Sequence, residues 1–296
     1  TTSFLNNKLH VRGDFTFRNT DNNKTQRRVP VPYSKVEGES LLLSEKYNDL
    51  KETTGKTDYI ATNIYADYED TFAEVHYLKG MIGYNYEQSQ YKNLEVQRNG
   101  LLFDDTDNIN LALGDAITTS GKYNRWRVAG GFFRLNYAFK DRYLLEVNGR
   151  YDGSSKFPTD QQWAFFPSVS AGWRISEEPF WRVNEQIFSD MKVRASYGSL
   201  GNGNVDPYSF LELLSIKTSD RVLNGALNKY TSAPAVMPSG LTWETATTTD
   251  VGLDFGMLNS RFRFSGDYYI RKTTDMYTVG KTLPEIFGAA SPKGNY

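Results

Sequence analysis

The 296-residue chain contains no cysteine. That excludes a disulfide framework, a thiolate nucleophile and cysteine-ligated zinc. Histidine is nearly absent: His10 and His76 are the whole complement. Any Ser-His-Asp arrangement would have to use one of them, and both fall on strand-like segments, where a histidine facing a lumen or an interface is the simpler reading. Neither sign of charge is in excess, with 34 basic against 35 acidic residues, so there is no basic field for nucleic acid and no acidic tail. No apolar run approaches the ~18 residues of a membrane helix. Residues 1–15 lack the basic start and apolar stretch of a secretory signal.

Aromatic residues are abundant. They make up 15% of the chain, with 20 Tyr and 18 Phe. Aromatic side chains suit strands, and Tyr and Trp suit a boundary with one apolar and one wet side. The apolar period is two almost everywhere. In 142–152, Tyr143, Leu145, Val147 and Tyr151 share one face, and Arg142, Glu146, Asn148, Arg150 and Asp152 share the other. Residues 8–18, 191–198 and 261–271 repeat the pattern. This is the strand signature. It predicts about nine strands, near 8–19, 58–69, 72–90, 125–138, 141–152, 163–174, 190–199, 246–257 and 261–277. In 125–138 the apolar phase slips by one residue, and Gly130-Gly131 between the two halves predicts a β-bulge.

Several of these strands run for about ten residues or more, the length a tilted membrane strand requires and longer than the ~5–6 typical of soluble sheets. Trp163 and Trp173 share a parity ten residues apart. At ~3.3 Å per residue and a tilt of ~40° they are separated by about 25 Å of height, the spacing of two aromatic girdles. Tight turns near Asp70-Thr71, Lys140 and Asn259-Ser260 alternate with long polar segments at 20–57, 91–124 and 200–245. Outer-membrane barrels show that asymmetry, with short turns at the periplasmic end and long extracellular loops. The expected fold is therefore all-β: 1–296 as a single region of antiparallel transmembrane β-barrel wall. An odd strand count would leave open edges that lipid does not tolerate, so the chain reads as an internal segment of a longer protein. The rivals are a soluble carbohydrate-binding β-sandwich and an outer-membrane adhesin or enzyme barrel.

No catalytic constellation stands out, and no cofactor is expected. Glu177-Glu178 precede Pro179 and read as a solvated turn. Asp104, Asp105 and Asp107 cluster in a loop and are weak candidates for a hard cation, without EF-hand spacing. Gly201-Asn202-Gly203 lacks the lysine and the following helix of a phosphate loop. If the apolar faces meet lipid, Arg150, Asp152, Arg174, Lys192, Arg194, Asp250, Asp254, Arg263 and Asp267 face a lumen. That many charges need a wide, wet or plugged lumen. Tyr123, Tyr208, Phe210, Tyr230 and Trp243 stand in polar loops, where they could stack on a ligand or pack the loops together.

Four stretches resemble the SusC/RagA family of TonB-dependent outer-membrane transporters of Bacteroidetes, in the family's order: KDRYLLEVNGRYDGSSKFP (140–158), WAFFPSVSAGWRISEEPFW (163–181), DMKVRASYGSLGN (190–202) and LTWETATTTDVGLDFGMLNSRFRFSGDYYIRKTTDMY (241–277). Leu283-Pro284 with Gly288 resembles the loop that comes next. The resemblance implies a 22-stranded barrel with an N-terminal plug, set in the Gram-negative outer membrane. It further implies partnership with a SusD-like surface lipoprotein and import of oligosaccharide or peptide, driven by the TonB complex through a plug that these residues do not include. The matching motifs belong to the barrel wall and carry over no catalytic role.

Overall fold

The computed structural model describes residues 2–42, 48–103, 105–184, 187–232, 236–237, 240–287 and 291–296. Gly288, which the loop resemblance includes, lies outside them. In chain order the strands are β1 (Thr2–Phe4), β2 (Leu9–Arg28), β3 (Pro32–Tyr33), β4 (Leu41–Leu42), β5 (Asp49–Phe72), β6 (His76–Asn99), β7 (Ile117–Phe139) and β8 (Tyr143–Ser154). There follow β9 (Trp163–Arg174), β10 (Phe188–Asn202), β11 (Ile216–Leu223), β12 (Ala226–Thr231), β13 (Glu244–Met257), β14 (Phe262–Thr274), β15 (Tyr277–Val279) and β16 (Lys293–Asn295). Ten of them form one sheet in the order β1-β2-β5-β6-β7-β8-β9-β10-β13-β14. The other six form two-stranded pairs: β3 with β4, β11 with β12 and β15 with β16.

All nine strands expected from the alternation are present, and four are longer than it showed. β5 and β6 each have 24 residues, β7 has 23 and β2 has 20. Crossing a bilayer takes only ~9–11 residues. The extra length lies where the alternation stops. Residues 18–28 of β2 contain no apolar side chain, and 49–57, 87–93 and 118–125 contain almost none. A ladder of backbone hydrogen bonds does not depend on which side chains it carries, so pairing continues after the apolar face has ended.

The chain divides into two compact units: Thr1–Asp14, Thr62–Tyr86 and Arg127–Tyr296 form the first, and Phe15–Ala61 with Glu87–Trp126 form the second. The second unit closes on Leu50, Leu101 and Ala112, with Ile109 against them. Arg28 is ion-paired with the buried Asp49, and Arg27 with Asp107 at 3.2 Å.

In the first unit, β7 through β14 pair antiparallel with each side chain opposite one of its own face. Phe133 meets Gly149, Leu135 meets Val147, Val147 meets Val169, and Val169 meets Tyr197. The bulge expected at Gly130-Gly131 does not form against β8. That pairing runs unbroken from Val128↔Ser154 to Phe139↔Tyr143. The apolar phase slips because Val128 and Phe132 are apolar residues on the otherwise polar face. Phe132 lies 5.3 Å beneath the Arg150 guanidinium, a cation–π contact that accounts for its place there.

The apolar face carries two aromatic clusters. Tyr151 stacks on Trp163 with ring centroids 5.1 Å apart; ten residues along β9, Tyr143 stacks on Trp173 at 6.4 Å, joined by Phe139 and Phe180. His76 extends the second cluster, lying 5.0 Å from the Phe139 ring. The tight turns of this unit pass through left-handed backbone without glycine: Ala73-Glu74, Lys140-Asp141 and Leu258-Asn259-Ser260 all have φ between 48° and 63°. Successive positive-φ residues match the right-handed twist of the flanking strands.

Val169 and Ser168 are neighbours in β9 on opposite faces. Val169→Arg in the full-length protein should cost about 2–4 kcal/mol, the penalty of a charge on a bilayer-facing strand at mid-height, whereas Ser168→Arg should fold normally. The check is heat-modifiable mobility on gels; equal defects in the two variants would mean that the faces are wrongly assigned.

Candidate functional site

The register settles which side of the sheet carries the charges. Lys192 pairs with Arg174 on one side and Asp254 on the other, Asp254 pairs with Ser265, and Gly256 with Arg263. One row along, Gly172, Arg194, Gly252 and Asp267 stand in line. Directly opposed residues in an antiparallel pair project to the same side. Arg174, Lys192, Arg194, Asp250, Asp254, Arg263 and Asp267 therefore share one face, and Arg150 and Asp152 share it too, opposite Phe166 and Ala164. All nine lie opposite the aromatic clusters.

Arg194 is the hub. Its Nε donates to Asp254 Oδ2 at 2.8 Å, and its Nη2 donates to Asp254 Oδ1, Ser265 Oγ and Asp267 Oδ2, each at 3.1 Å. Nη1 lies 2.9 Å from Asp267 Oδ1. Ser265 in turn donates to Asp254 at 2.6 Å. The network lies flat across three strands because Gly252 leaves room: a Cβ there would come within 2.8 Å of Arg194 Cζ. Arg150 makes a smaller version. It donates to both oxygens of Asp152, at 3.0 and 2.9 Å, and to Asn85 Oδ1 at 3.0 Å. Gly130, opposite Asp152, supplies the clearance.

The loop aromatics divide. Trp243 is only 8% exposed. It packs against Phe157, Phe166, Val205 and Leu241, with Phe210 at the edge of the cluster, and its indole donates to the Gln162 carbonyl at 2.8 Å. It holds the loops together. Tyr123, expected in a loop, instead lies on β7 in the second unit, because backbone pairing continues past the end of the apolar face; it and Tyr230 on β12 are exposed, and Tyr208 is half-buried with φ at +67°. Among the acidic loop residues, Asp107 is taken by Arg27 and Asp105 accepts from Thr106; Asp104 lies outside the described residues.

One functional side chain was not legible as such. Glu178 reads in the sequence as part of a solvated turn, yet it is 9% exposed. The Trp173 indole donates to it at 3.0 Å, Arg142 approaches to 3.6 Å, and the Tyr143 hydroxyl also bonds it. It thus ties the lower aromatic cluster to the turn after β9. The Tyr143 hydroxyl first, then the Trp173 indole, hold its carboxyl below the ordinary glutamate value, against the opposing effect of burial. The only signal was two bonding aromatics, Tyr143 and Trp173, opposed across β8 and β9 and followed by an acid in the adjoining turn.

Residues 1–295 match the family described as "TonB dependent receptor-like, beta-barrel". The chain is 36% identical over 231 residues to TonB-dependent receptor P26 of Formosa agariphila, covering 77% of this chain and 23% of that protein. It is 40% identical over 147 residues to TonB-dependent receptor SusC of Bacteroides thetaiotaomicron, covering 49% of this chain and 15% of that one. In fold it is similar to the RagAB peptide transporter, with a TM-score of 0.76 at 21% identity, covering 97% of this chain and 30% of the solved one. The chain thus spans less than a third of the length of these relatives.

Removing the hub should expose its value. Arg194→Met leaves Asp254 and Asp267 without the guanidinium that joins them. At this partial exposure we expect a loss of about 1 kcal/mol, seen as roughly fivefold faster hydrogen exchange across β10 and β13. Lys192→Met, which breaks no hydrogen bond of the network, should change exchange little. Glu178 sets a pH dependence. Because folding lowers its pKa, its contribution is complete above the ordinary value of about 4.5 and fades as pH falls through the depressed folded value. Protection of the turn at 175–182 should fall over that acid range, and Glu178→Gln should flatten the dependence; an unchanged profile in the variant would assign the effect elsewhere.

Proposed function

Because the chain belongs to the TonB dependent receptor-like β-barrel family, we propose that it forms wall strands of a TonB-dependent importer, with the charge-bearing face turned to the lumen and the aromatic face to lipid. Its place is the Gram-negative outer membrane, that of its SusC-like relatives. The observation that carries the reading is the segregation of the charges to one face of the sheet. Arg150, Asp152, Arg174, Arg194, Asp254, Arg263 and Asp267 all lie on one side; Val169, Val193, Val251, Phe264 and the stacked Trp and Tyr rings lie on the other. A soluble sandwich would bury one face of this sheet against a second, and among the described residues there is no such second sheet.

The cargo in this reading is an oligosaccharide or a peptide. The solved protein of similar fold is a peptide transporter, and a lumen lined by paired charges and hydroxyls suits either polar solute. A SusD-like lipoprotein is the expected partner at the outer loops, and TonB acts through a plug carried elsewhere in the full protein. The exposed Tyr230, on the β11–β12 hairpin, is the loop aromatic best placed to stack on cargo, whereas Trp243 is structural and Tyr123 lies on β7 with its hydroxyl bonded to Gln90. The protein binds and gates, and no residue here is assigned covalent chemistry. The polar stretches of β2, β5, β6 and β7 offer almost no apolar side chain to lipid, the composition of strands wet on both faces. Deleting the full-length gene should abolish uptake of a labelled oligosaccharide pool or a labelled peptide pool, and a protonophore should mimic the deletion. Undiminished uptake of both pools would overturn the reading.

Sidedness follows from the turns. Asp220 is exposed on the β11–β12 hairpin, and Asn259 is exposed in the β13–β14 turn. Asp220→Cys should react with an impermeant thiol reagent in intact cells, and Asn259→Cys only after the outer membrane is opened. The reverse pattern would invert the topology.

A further inference from the structure

The charge-bearing face of the first unit holds an open trough of about 460 Å³, lined in part by Asn136, Glu146, Ser170, Ser196, Asp250 and Lys192. The first five stand in a single cross-strand row. Asn136 pairs with Glu146, Glu146 with Ser170, Ser170 with Ser196, and Ser196 with Asp250. With ~4.8 Å between strands the row is about 19 Å long. Each group in it accepts hydrogen bonds: one amide oxygen, two carboxylates and two hydroxyls.

Two of these acceptors are unspent. Asn136 Oδ1 is buried and has no hydrogen-bond partner. Asp250 makes no ion pair among the described residues: Arg194 is committed to Asp254 and Asp267, Arg271 donates to Thr248, and Lys192, on the same trough, stands beside Asp254 in the register rather than beside Asp250. Glu146, by contrast, already accepts from Asn148 at 2.7 Å, with Arg134 at 4.0 Å. The row therefore has more acceptors than donors, and the Asp250 carboxylate in it makes no ion pair. An acceptor left without a donor in a partly enclosed site is costly, and a carboxylate is best satisfied by a charge-assisted donor.

We propose that this trough binds a ligand ammonium group at Asp250, with further N–H or O–H donors of the same ligand meeting Ser196 and Ser170. The inference rests on the importer reading and names the chemistry of its cargo. A primary ammonium beside hydrogen-bond donors occurs at the free amino terminus of a short peptide and on an amino sugar. Both present the same group to the same carboxylate.

The test uses the purified full-length protein and titration calorimetry with two matched pairs. One is tetraglycine against N-acetyl-tetraglycine; the other is the tetramer of glucosamine against the tetramer of N-acetylglucosamine. Acetylation removes the ammonium and keeps the rest. The amine member of at least one pair should bind about tenfold more tightly than its acetylated partner, the scale of one charged hydrogen bond, and the pair that shows it identifies the source. Asp250→Asn should remove the preference and Asp250→Glu should keep it. Ser196→Lys, which places a cation beside an intact Asp250, should remove it as well and covers the case in which Asp250→Asn fails to fold. Equal affinities within both pairs, no binding of either, or a preference that survives Asp250→Asn would overturn the assignment. If the preference is present but uptake survives deletion of the gene, the importer reading fails and the site stands. If uptake is lost but no preference is found, only the site fails.

Discussion

A backbone N–H or C=O group inside a bilayer has no water to bond, so every one along a spanning segment must find a partner within the protein. The rest of this structure depends on that constraint. The ladder from β7 to β14 meets it by pairing strands edge to edge in chain order, and once the ladder is set, side chains can only alternate. Half of them face lipid and half face the interior. The aromatic clusters, the row of charges and the trough are consequences of that division.

On the charged side the difficulty is crowding. Long Arg and Asp side chains on adjacent strands compete for space above a surface only ~4.8 Å wide per strand. Gly252 and Gly130 relieve it by leaving a gap over which a neighbour can lie flat. Arg194 can then reach Asp254 and Asp267 together, and Arg150 can lie over Phe132 while holding Asp152. On this face Arg150, Asp152, Arg194, Asp254 and Asp267 are tied into such pairs, whereas Asp250 and the Asn136 amide oxygen lie outside them.

The connections solve a different problem. Outside the bilayer, water can satisfy the backbone, so these segments need cores of their own. Phe157, Phe166, Val205, Leu241 and Trp243 form one at a loop end of the first unit, and Leu50, Leu101 and Ala112 form one in the second. At the opposite end of the first unit's strands Glu178, in the connection from β9 to β10, bonds to Trp173 and Tyr143 and ties that connection to the wall.

The sequence by itself determined the strands, their two faces and the family resemblance, because alternation with period two is a local property written along each strand. It placed Arg150, Asp152, Arg174, Arg194, Asp254, Arg263 and Asp267 on one face without any knowledge of which strand lies beside which. It stopped short wherever the answer lay between strands. That Arg194 serves two aspartates 60 and 73 residues away, that Glu178 is buried, that Trp243 packs loops, and that Gly130-Gly131 marks no bulge against β8 are all matters of register. Only the tertiary structure decided them. The far ends of β2, β5, β6 and β7 escaped notice for a related reason: their backbones pair as strands, but with water on both faces nothing requires the side chains to alternate.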